Sequence, residues 1–599
     1  MRLKDILLRA VGVASLTPAF ERADNPSQMD VFASHHVRDE VASAVMADLV
    51  ILGATPGGIM AAISATRLNK TSVIVERTPY IGGLPANGLG ATDIKTKGAT
   101  GGLFLEFVGR IEEYYVETYG AGSEQVKVAQ GGYHFEPHVA EKVFHEWLAE
   151  YPQIKVLINR QFDFEPENVE IQKDTGTLQS IRVTNRETQD PETISGRFFL
   201  DATYEGDLIA ASGVPFFLGR EGKEIYGELG AGRLYKYWNG GEMAGSTGSG
   251  DNAVQSYNYR LCVTNDPENQ AKVQKPASYN REEYASLVYD VKSGLHTGND
   301  VVKITPEMIE ENLKRAEQNL PPVPNKLPGI SRIMNNVNLP NRKVDGNNQH
   351  FAFLSTDLPE ENWPYPTSSW DWRDSFAKRL REYTQGLLYF AQNDPELPQW
   401  FRDQVLKWGW AADEYLDNDH FPRQLYVREG RRMRGKYIFS ANDVPINDQK
   451  GIEHRTSITA SHYALDSHAV RKREPGRVHL DGFFSYKNQP YTVPYGVMVP
   501  DAPLTNLLAP VPVSATHVGF STLRMEPCWM ALGQAAGVAA ALAIDSGAAA
   551  ADVDIETLQD ELVDQGAVLK YDPKLWEDGV TDEQRREMQR EWLEAIRTK

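Results

Sequence analysis

The sequence predicts an α/β fold in which both ends of the chain build one nucleotide-binding domain around a parallel sheet. Residues 47–76 have the pattern of a strand, a glycine turn, an alanine-rich helix and a second strand, which opens a dinucleotide-binding domain. Residues 506–546 show a similar pattern, with an apolar strand followed by a small-residue helix. Residues 216–495 are polar and rich in Asn, Gly, Pro and aromatic residues, which predicts an inserted α+β substrate domain.

The opening unit carries a glycine turn between its first strand and its helix. Small residues there let the helix backbone approach a pyrophosphate, and the helix N-terminus attracts the phosphate charge. The residues predicted to lie against the pyrophosphate are Gly53, Pro56, Gly57 and Gly58. Thr55 stands where the G-x-G-x-x-G fingerprint has its middle glycine, so the match is imperfect. Glu76 ends the second strand and is predicted to accept hydrogen bonds from ribose hydroxyls.

Composition narrows the class of partner. The net charge of −20 disfavours nucleic acid or an anionic membrane as partner, and no apolar run long enough to span a bilayer is evident. Cys262 and Cys528 are too few for a disulfide framework or a tetracysteine zinc site. The apolar start at 6–16 resembles a secretory signal, but Arg9 interrupts it and no clear cleavage site follows. A soluble, cytoplasmic protein is therefore favoured over a secreted one.

The predicted organisation is discontinuous. Its segments are a leader and linker over 1–46, a first nucleotide-domain part over 47–215, an inserted domain over 216–495, a second part over 496–548, and a helical tail over 549–599. Predicted strands cover 49–52, 71–75, 155–164, 178–185, 193–200 and 506–513, and predicted helices cover 102–119, 374–392, 398–410 and 528–546. Gly533 and Gly537 are expected to let the last of these helices pack closely against a neighbour.

Several blocks of residues resemble a known family, in the order of that family's motifs. They are Gly53-Ala-Thr-Pro-Gly-Gly, Gly82-Gly-Leu-Pro-Ala-Asn-Gly-Leu-Gly-Ala-Thr-Asp, Phe135-Glu-Pro-His-Val-Ala-Glu, Asp201-Ala-Thr-Tyr-Glu-Gly-Asp-Leu, Tyr426-Val-Arg-Glu-Gly-Arg-Arg-Met, Asp466-Ser-His, and Ser514-Ala-Thr-His-Val-Gly-Phe-Ser-Thr-Leu-Arg-Met-Glu-Pro. Together they resemble the FAD-dependent oxidoreductase family with a xanthan-lyase-like label, within the glutathione-reductase-type flavoprotein clan. The blocks cover about 47–548 of the chain.

The resemblance implies a Rossmann-like domain of the glutathione-reductase type that binds FAD. It places the pyrophosphate at the glycine turn and at Gly82 and Gly83, the ribose at Glu76, and the adenosine end near Arg77 and Phe162. The remaining implied cofactor residues are Gly88, Asp201, Ala202, Arg524 and Met525. The last helix would direct its N-terminus at the flavin pyrimidine ring, where reduction places negative charge.

Two histidines are candidates for the base that takes a substrate proton. His517 lies in the loop before the flavin-facing helix, and His468 follows Asp466, whose carboxylate could orient an imidazole. The predicted substrate-binding residues are Arg431, Arg432, His462 and Trp370. The group His134, Glu136 and His138 has metal-like spacing, but Pro137 interrupts the regular helix that would align it, and no metal is predicted.

The favoured function is an FAD oxidase or dehydrogenase that moves a hydride from a small hydroxyl-bearing molecule to flavin N5. The substrate would be a sugar, glycoside or secondary metabolite, and the electrons would pass to oxygen or an external acceptor. The first alternative is a flavin monooxygenase that uses transiently bound NAD(P)H. Alternatives of another class are a lyase or isomerase with a redox-neutral flavin, and a non-catalytic flavin-binding module. The sequence does not predict the oligomeric state.

Overall fold

Residues 45–237, 240–298 and 302–598 are described by the structure, which is a computed structural model. All but the last two residues of the predicted leader and linker lie outside these ranges. The strands of the described residues are β1 (Val45–Leu52), β2 (Ser72–Val75), β3 (Ile154–Leu157), β4 (Arg160–Gln161), β5 (Val169–Gln172), β6 (Thr177–Asn185), β7 (Pro191–Asp201), β8 (Phe216–Phe217), β9 (Leu261–Thr264), β10 (Gln270–Ala271), β11 (Met334–Leu339), β12 (Lys343–Asn348), β13 (Gly409–Ala411), β14 (Arg432–Met433), β15 (Ser457–Ser461), β16 (Leu465–Ser467), β17 (Phe484–Tyr486), β18 (Tyr491–Pro494) and β19 (Leu507–Leu508).

The α-helices of the same ranges alternate with these strands. They are α1 (Pro56–Arg67), α2 (Gly83–Asn87), α3 (Leu103–Tyr119), α4 (Glu124–Ala129), α5 (Pro137–Ala149), α6 (Asp207–Ala211), α7 (Lys223–Tyr226), α8 (Ser286–Ser293), α9 (Pro306–Glu317), α10 (Trp370–Asn393), α11 (Gln399–Val405), α12 (His517–Leu523), α13 (Glu526–Ser546), α14 (Ile555–Asp564) and α15 (Asp582–Arg597).

The largest sheet is the frame of the fold. Its strand order is β3-β2-β1-β7-β6-β4, with β5 on β6 and β19 on β7. The pairs β3–β2, β2–β1, β1–β7 and β7–β19 are parallel, whereas β6 pairs antiparallel with β7, β4 and β5. Leu507–Leu508 pairs with Phe199–Leu200, so a strand from near the C-terminus joins a sheet begun near the N-terminus. The predicted α/β fold with a parallel sheet is confirmed.

Alternation along β1 explains why both faces of the sheet are covered. Leu49 and Ile51 belong to the large core that also contains α1 and α13, whereas Val50 and Leu52 belong to a second core on the other face. All four side chains are buried, and a central parallel strand requires this because each face is packed against other elements.

Helices α1 and α13 pack closely against each other on one face of this sheet. A Cβ on Gly533 would lie 2.0 Å from the carbonyl oxygen of Gly57, and a Cβ on Gly537 would lie 2.2 Å from that of Ala61. Side chains at these two positions would force the helices apart, so the predicted role of both glycines is confirmed.

The middle of the chain forms a second sheet and several small hairpins. The second sheet has the order β10-β13-β9-β12-β11, and its pairs are antiparallel. The strand pairs β8–β14, β15–β18 and β16–β17 stand apart from it. Strand β16 is important for the site, because it is followed by His468 and contains Asp466 and Ser467.

Several predicted elements differ from the structure. The strand predicted over 155–164 is divided into β3, which ends at Leu157, and the short β4 at Arg160–Gln161. His517, predicted to lie in a loop, is the first residue of helix α12. The helix predicted over 398–410 ends at Val405, and Gly409–Ala411 instead forms a strand, because pairing with β9 and β10 overrides the local helix preference. The strand predicted over 506–513 shrinks to Leu507–Leu508, because the prolines that follow have no N–H to donate to a sheet.

The expectation that no segment is apolar and long enough to span a membrane also needs correction. Among the described residues, one helix is long and apolar enough to cross a membrane, namely α13 (Glu526–Ser546). However, 94% of its most apolar window is buried inside the fold, where it packs on α1. The core position of the helix explains its apolar composition.

Candidate functional site

A deep cavity follows the carboxyl ends of the parallel strands. Its wall includes Gly53 after β1, Glu76 after β2 and Tyr204 after β7. This is the place where open α/β sheets bind nucleotides, because the loops that leave the strands diverge there. The predicted site residues that line the cavity are Gly53, Glu76, Arg77, Gly83, Phe162 and Trp370.

The glycine turn at the head of α1 is held by the threonine that departs from the fingerprint. Thr55 is the N-cap of α1: its Oγ1 accepts a hydrogen bond from the Gly58 amide at 3.2 Å and donates one to the Ala202 carbonyl at 2.8 Å. Gly53 has a φ of +102°, and a Cβ there would lie 2.8 Å from the Ala202 oxygen. Thr55 therefore replaces the middle glycine with a cap that ties the turn to the end of β7.

The second predicted glycine pair forms the opposite wall of the turn. Gly82 and Gly83 both have positive φ, and a Cβ on Gly83 would lie 2.5 Å from the Tyr204 hydroxyl. Gly88 ends the short helix that follows, and a Cβ there would lie 3.4 Å from the Arg260 carbonyl oxygen. These positions leave room for backbone or ligand where a larger residue would clash.

Glu76, the predicted ribose residue, lines the cavity, and neighbouring groups hold its carboxylate by hydrogen bonds. Its Oε2 accepts a hydrogen bond from the Ala54 amide at 3.0 Å, and its Oε1 accepts from the amide and hydroxyl of Thr78, both at 2.9 Å. Burial raises the pKa of Glu76, and these hydrogen bonds oppose the increase. Oε2, which accepts one hydrogen bond, keeps acceptor capacity for a ribose hydroxyl.

Trp370 lies with the predicted adenosine residues. The Arg77 guanidinium stacks 4.1 Å from the centroid of the Trp370 ring, and the Trp370 indole donates a hydrogen bond to the Phe162 carbonyl at 2.9 Å. The predicted substrate residue Trp370 thus lines the same cavity as Arg77 and Phe162, at the edge where an adenine would be expected to lie.

The Asp201 carboxylate is hydrogen-bonded to neighbouring groups of the chain. Its carboxylate accepts hydrogen bonds from the amide and hydroxyl of Thr203 and from the amide of Ile209 at the start of α6. Burial raises the pKa of Asp201 to about 6 in spite of these bonds. Asp201 therefore shapes the loop that carries Tyr204.

A hydrogen bond between Tyr204, which lines the cavity, and Glu526 connects the cavity wall to the N-terminus of α13. The Tyr204 hydroxyl donates to Glu526 Oε1 at 2.6 Å and accepts a hydrogen bond from the Leu84 amide at 3.1 Å. Glu526 Oε2 is buried without a hydrogen-bond partner among the described residues. Burial raises the pKa of Glu526 to about 8, with nearby Asp93 adding to the increase. Met525 is the N-cap residue of α13 and is itself buried.

His468 is surrounded by carboxylates on one face of β16. Its Nδ1 lies 3.0 Å from Asp357 Oδ2, and its Nε2 lies 3.7 Å from Asp466 Oδ2. Arg428 pairs with Asp357 at 2.9 Å, and Arg524 lies 3.5 Å from Asp466. We call these five residues the His468 network. Burial alone would raise the pKa of Asp466, but the neighbouring His468 and the charge of Arg524 lower it to about 2.

His517 occupies a different network on the other face of β16. Its Nδ1 lies 2.9 Å from Glu429 Oε2, and its Nε2 lies 3.2 Å from the Ser467 hydroxyl. Arg432 completes the group, with its Nε 2.9 Å from Glu429 Oε1. We call these four residues the His517 network. Burial would raise the pKa of Glu429, but the neighbouring His517 and Arg432 lower it.

The other predicted substrate residues are engaged elsewhere. Arg431 is buried and pairs with Asp207 at 2.6 Å, whereas Arg432 also binds Glu221 at 2.9 Å. His462 has both ring nitrogens bonded, Nδ1 to the Thr96 hydroxyl at 2.7 Å and Nε2 to the Asn488 carbonyl at 3.0 Å. The structure does not bring Arg431 or His462 into either histidine network.

The acidic residues near His138 lie around the side chain of Lys343. The ligand atoms of Glu136, His138 and Glu414 all lie within 4.8 Å of one another. The Lys343 ammonium lies 2.6 Å from Glu136 and 2.8 Å from Glu414. This cation neutralises the two carboxylates, while Pro137 begins helix α5 behind them.

Important residues of both regions escaped the sequence reasoning. Asp357 stands 111 positions before its partner His468 and carries no local pattern. Arg373 binds Asp207 through both guanidinium nitrogens at 2.6 and 2.8 Å and lines the nucleotide cavity. Tyr204 lies within a recognised block, so the turn after β7 was the signal that could have indicated it.

The residues of the cavity and its surroundings fit FAD. Gly53 and Gly83 keep the turn narrow enough for a pyrophosphate to approach backbone, and Glu76 is placed for a ribose. Near the N-terminus of α13, Glu526 Oε2, Asp466 Oδ1 and the Arg524 Nε are buried without a hydrogen-bond partner among the described residues. Such polar groups require a partner, and a flavin ring with its polar edge would supply one.

Comparison with known proteins identifies the family. The family model described as FAD dependent oxidoreductase matches residues 48–562, which is most of the chain. The narrower xanthan-lyase-like label stays a prediction. A comparison with curated proteins finds no match.

Similar solved structures share only part of the chain. L-proline dehydrogenase from P. horikoshii is 15% identical with a TM-score of 0.16, over 27% of this chain and 23% of that one. Glycerol-3-phosphate dehydrogenase from Bacillus halodurans, complexed with FAD, is 12% identical with a TM-score of 0.21, over 30% and 39%. A 3-ketosteroid-Δ4-(5α)-dehydrogenase from Rhodococcus jostii RHA1 is 14% identical with a TM-score of 0.19, over 32% and 53%. The chain spans about half or less of the length of these three proteins.

Proposed function

This chain belongs to the family of FAD-dependent oxidoreductases, and from that premise we propose that it oxidises a small hydroxyl-bearing molecule as an oxidase or dehydrogenase. The substrate would be a sugar, glycoside or secondary metabolite. The observation that carries the proposal is the buried His468 network beside the N-terminus of α13, because alcohol oxidation needs a base next to the hydride acceptor.

His468 is the base in this proposal. An ionised carboxylate only accepts hydrogen bonds, so Asp357 fixes the proton of a neutral imidazole on Nδ1. Nε2 is then the nitrogen with a lone pair, and among the described residues it makes no hydrogen bond, with the Asp466 oxygen lying 3.7 Å away. This is the orienting arrangement in which a carboxylate holds a histidine ready to take a proton.

The reaction would convert the substrate hydroxyl to a carbonyl. His468 Nε2 takes the hydroxyl proton while the neighbouring C–H bond gives up its electron pair with the hydrogen. When bound, FAD supplies the hydride acceptor at N5 and passes two electrons on to oxygen or another acceptor. Gly53, Gly83 and Glu76 would hold its pyrophosphate and ribose. Arg524, whose Nε lacks a partner among the described residues, would stabilise negative charge that develops beside the N-terminus of α13.

An anaerobic screen tests this function. The purified protein is expected to show a flavin spectrum, and at least one sugar, alcohol or glycoside should bleach it without oxygen. Readmission of oxygen then separates an oxidase, which recovers its colour, from a dehydrogenase, which needs another acceptor. Gly53→Val is the control, because its Cβ would clash with the Ala202 carbonyl and prevent FAD uptake.

Other outcomes would replace the proposal. Substrate-dependent consumption of NAD(P)H, with oxygen incorporated into the product, would identify a monooxygenase. Product formed with no acceptor consumed would identify a lyase or isomerase with a redox-neutral flavin. A flavin spectrum that no compound bleaches would leave a binding module.

A further inference from the structure

A second cavity, which shares no lining residue with the nucleotide cavity, borders the His468 network. It encloses about 410 Å³, within the range of about 300–1,000 Å³ that small-molecule sites occupy. Asp357 and Ala469 line it, and they are respectively the Nδ1 partner and the chain neighbour of His468. The Phe483 ring lines it as well and lies 6.1 Å from the His468 ring.

The body of this cavity is apolar. Phe353, Leu358, Leu480 and Phe483 contribute to its wall, and each is nearly fully buried. The hydroxyls of a free sugar that faced these four side chains would lose water without gaining a partner, which is costly. A ring or other apolar body would instead bury its surface favourably against these side chains.

The charged side chains on the rim of the cavity are already engaged in ion pairs, including Arg471, which pairs with Asp251 at 2.8 Å. Arg379 pairs with Glu283 and Glu361, both at 3.1 Å, and Lys472 pairs with Glu361 at 2.7 Å. Arg473 pairs with Asp290 at 3.1 Å, outside the cavity wall. A charged ligand would have to compete with these partners, whereas an uncharged one would not. The rim thus favours a neutral ligand.

One polar group of the lining is short of a partner. Asn348 lines the cavity and is only 1% exposed, and its Oδ1 has no hydrogen-bond partner among the described residues. A carbonyl oxygen in this position requires a donor, and a ligand hydroxyl is such a donor.

We propose that this cavity is the substrate site and that it selects an uncharged alcohol with an apolar ring over a free sugar. The inference rests on the proposed function for the reaction, but the binding it describes does not require turnover. The apolar wall would hold the ring, and Asn348 Oδ1 would accept a hydrogen bond from a hydroxyl other than the one that His468 deprotonates, because each hydroxyl has one proton to donate. The Asp357 and Phe483 side of the wall would turn the bound molecule towards His468.

The test uses the FAD-loaded protein and 2-naphthylmethanol as probe. Calorimetry should show the probe binding at least tenfold more tightly than glucose. Leu480→Trp fills the cavity and should weaken probe binding at least tenfold, while the flavin spectrum stays unchanged. Leu416→Trp, at a position that is 75% exposed, adds the same ring outside the cavity and should have no effect.

A second pair of variants protects the test against misfolding. Asn348→Leu removes the acceptor at similar size and should weaken binding of 2-naphthylmethanol more than binding of 2-methylnaphthalene, which has no hydroxyl. Asn338→Leu, on the exposed side of β11, is its control. Equal probe binding by wild type, Leu480→Trp and Asn348→Leu would overturn the inference.

The two proposals fail differently. Probe binding that Leu480→Trp abolishes, without flavin bleaching by any alcohol, supports the cavity and overturns the oxidase or dehydrogenase proposal. Bleaching by a sugar that neither cavity variant slows supports the reaction and overturns the cavity assignment.

Discussion

The two faces of strand β16 carry two buried histidine networks that differ in completeness. Ser467 turns towards His517, while Asp466 and the following His468 lie on the opposite face, as the period-two geometry of a strand requires. In the His517 network both ring nitrogens have hydrogen-bond partners. In the His468 network Nε2 has a carboxylate only at 3.7 Å, and the second oxygen of Asp466 has no partner among the described residues.

This difference separates a group that holds structure from a group that can do chemistry. In the His517 network Ser467 occupies Nε2, so a substrate hydroxyl would have to displace Ser467 before it could give that nitrogen a proton. His468 has one nitrogen fixed by Asp357 and the other available, which is the arrangement a general base needs. Both histidines were predicted as candidate bases, and their hydrogen-bond partners favour His468 over His517.

The largest expected effect is on the rate of flavin reduction after His468→Gln. Loss of a general base typically slows the chemical step by about 10²–10⁴-fold, so bleaching by an identified substrate should slow by about that factor. FAD content should stay at the wild-type level, because His468 does not line the nucleotide cavity. Anaerobic stopped-flow absorbance measures both quantities.

A matched histidine elsewhere provides the control for that variant. His454 is buried and lies 3.2 Å from Asp443, so His454→Gln also breaks a histidine–carboxylate pair in the interior. Its reduction rate should match the wild type. If His454→Gln and His468→Gln slowed reduction equally, or if His468→Gln had no effect, the assignment of His468 as base would be wrong.

The second effect is a loss of unfolding free energy and is expected in the His517 network, on the other face of β16. His517→Gln removes the ring that meets Glu429, and a buried charged acceptor left short of a partner costs about 1–3 kcal/mol of unfolding free energy. Chemical denaturation of the FAD-loaded protein measures this loss. Flavin reduction should slow less than in His468→Gln. The reverse order, with a stable but inactive His517 variant, would exchange the roles of the two networks.

The sequence predicted the nucleotide half of the molecule much better than these networks. The strand, turn and acid from Gly53 to Glu76 are local, so their spacing alone indicates the structure that they form. His468 depends on Asp357, which reaches it only through tertiary folding, and no spacing rule connects them. Trp370 shows the same limit, because its aromatic neighbourhood suggested substrate stacking, whereas the fold places it on Arg77 in the nucleotide cavity. Burial and partner identity decide such roles, and neither is visible in a linear pattern.

The third effect concerns the pH dependence of stability and arises from Glu526, a buried acid with no salt bridge among the described residues. The carboxylates of both networks are paired with arginine, whereas no salt bridge to Glu526 is found in the described ranges, and its pKa is about 8. Because this value is above the ordinary 4.5, the stabilisation is complete below pH 4.5 and is lost as pH rises through about 8. The slope is at most about 1.4 kcal/mol per pH unit.

Glu526→Gln isolates this contribution, because the amide keeps an oxygen for the Tyr204 hydroxyl but cannot ionise. The unfolding free energy of wild type minus that of the variant should fall between pH 5 and pH 8, as denaturation of the FAD-loaded proteins at several pH values would show. A difference that is constant over this range would mean that Glu526 is already ionised in the folded protein.

The smallest effect tests whether the strand insulates its two faces from each other. Ser467→Ala removes the hydroxyl beside His517 Nε2, and a single hydrogen bond of this kind contributes about 0.5–1.5 kcal/mol to unfolding free energy. The hydroxyl contacts the His468 carbonyl at 3.4 Å but faces away from the His468 ring, so the rate of flavin reduction should stay within about twofold of wild type if the networks act independently. Ser546→Ala, at the exposed end of α13, controls for loss of a serine hydroxyl that has no histidine partner. A large rate loss in Ser467→Ala would show that proton position in the His517 network is coupled across the strand to His468, and the two histidines would then have to be treated as one catalytic unit.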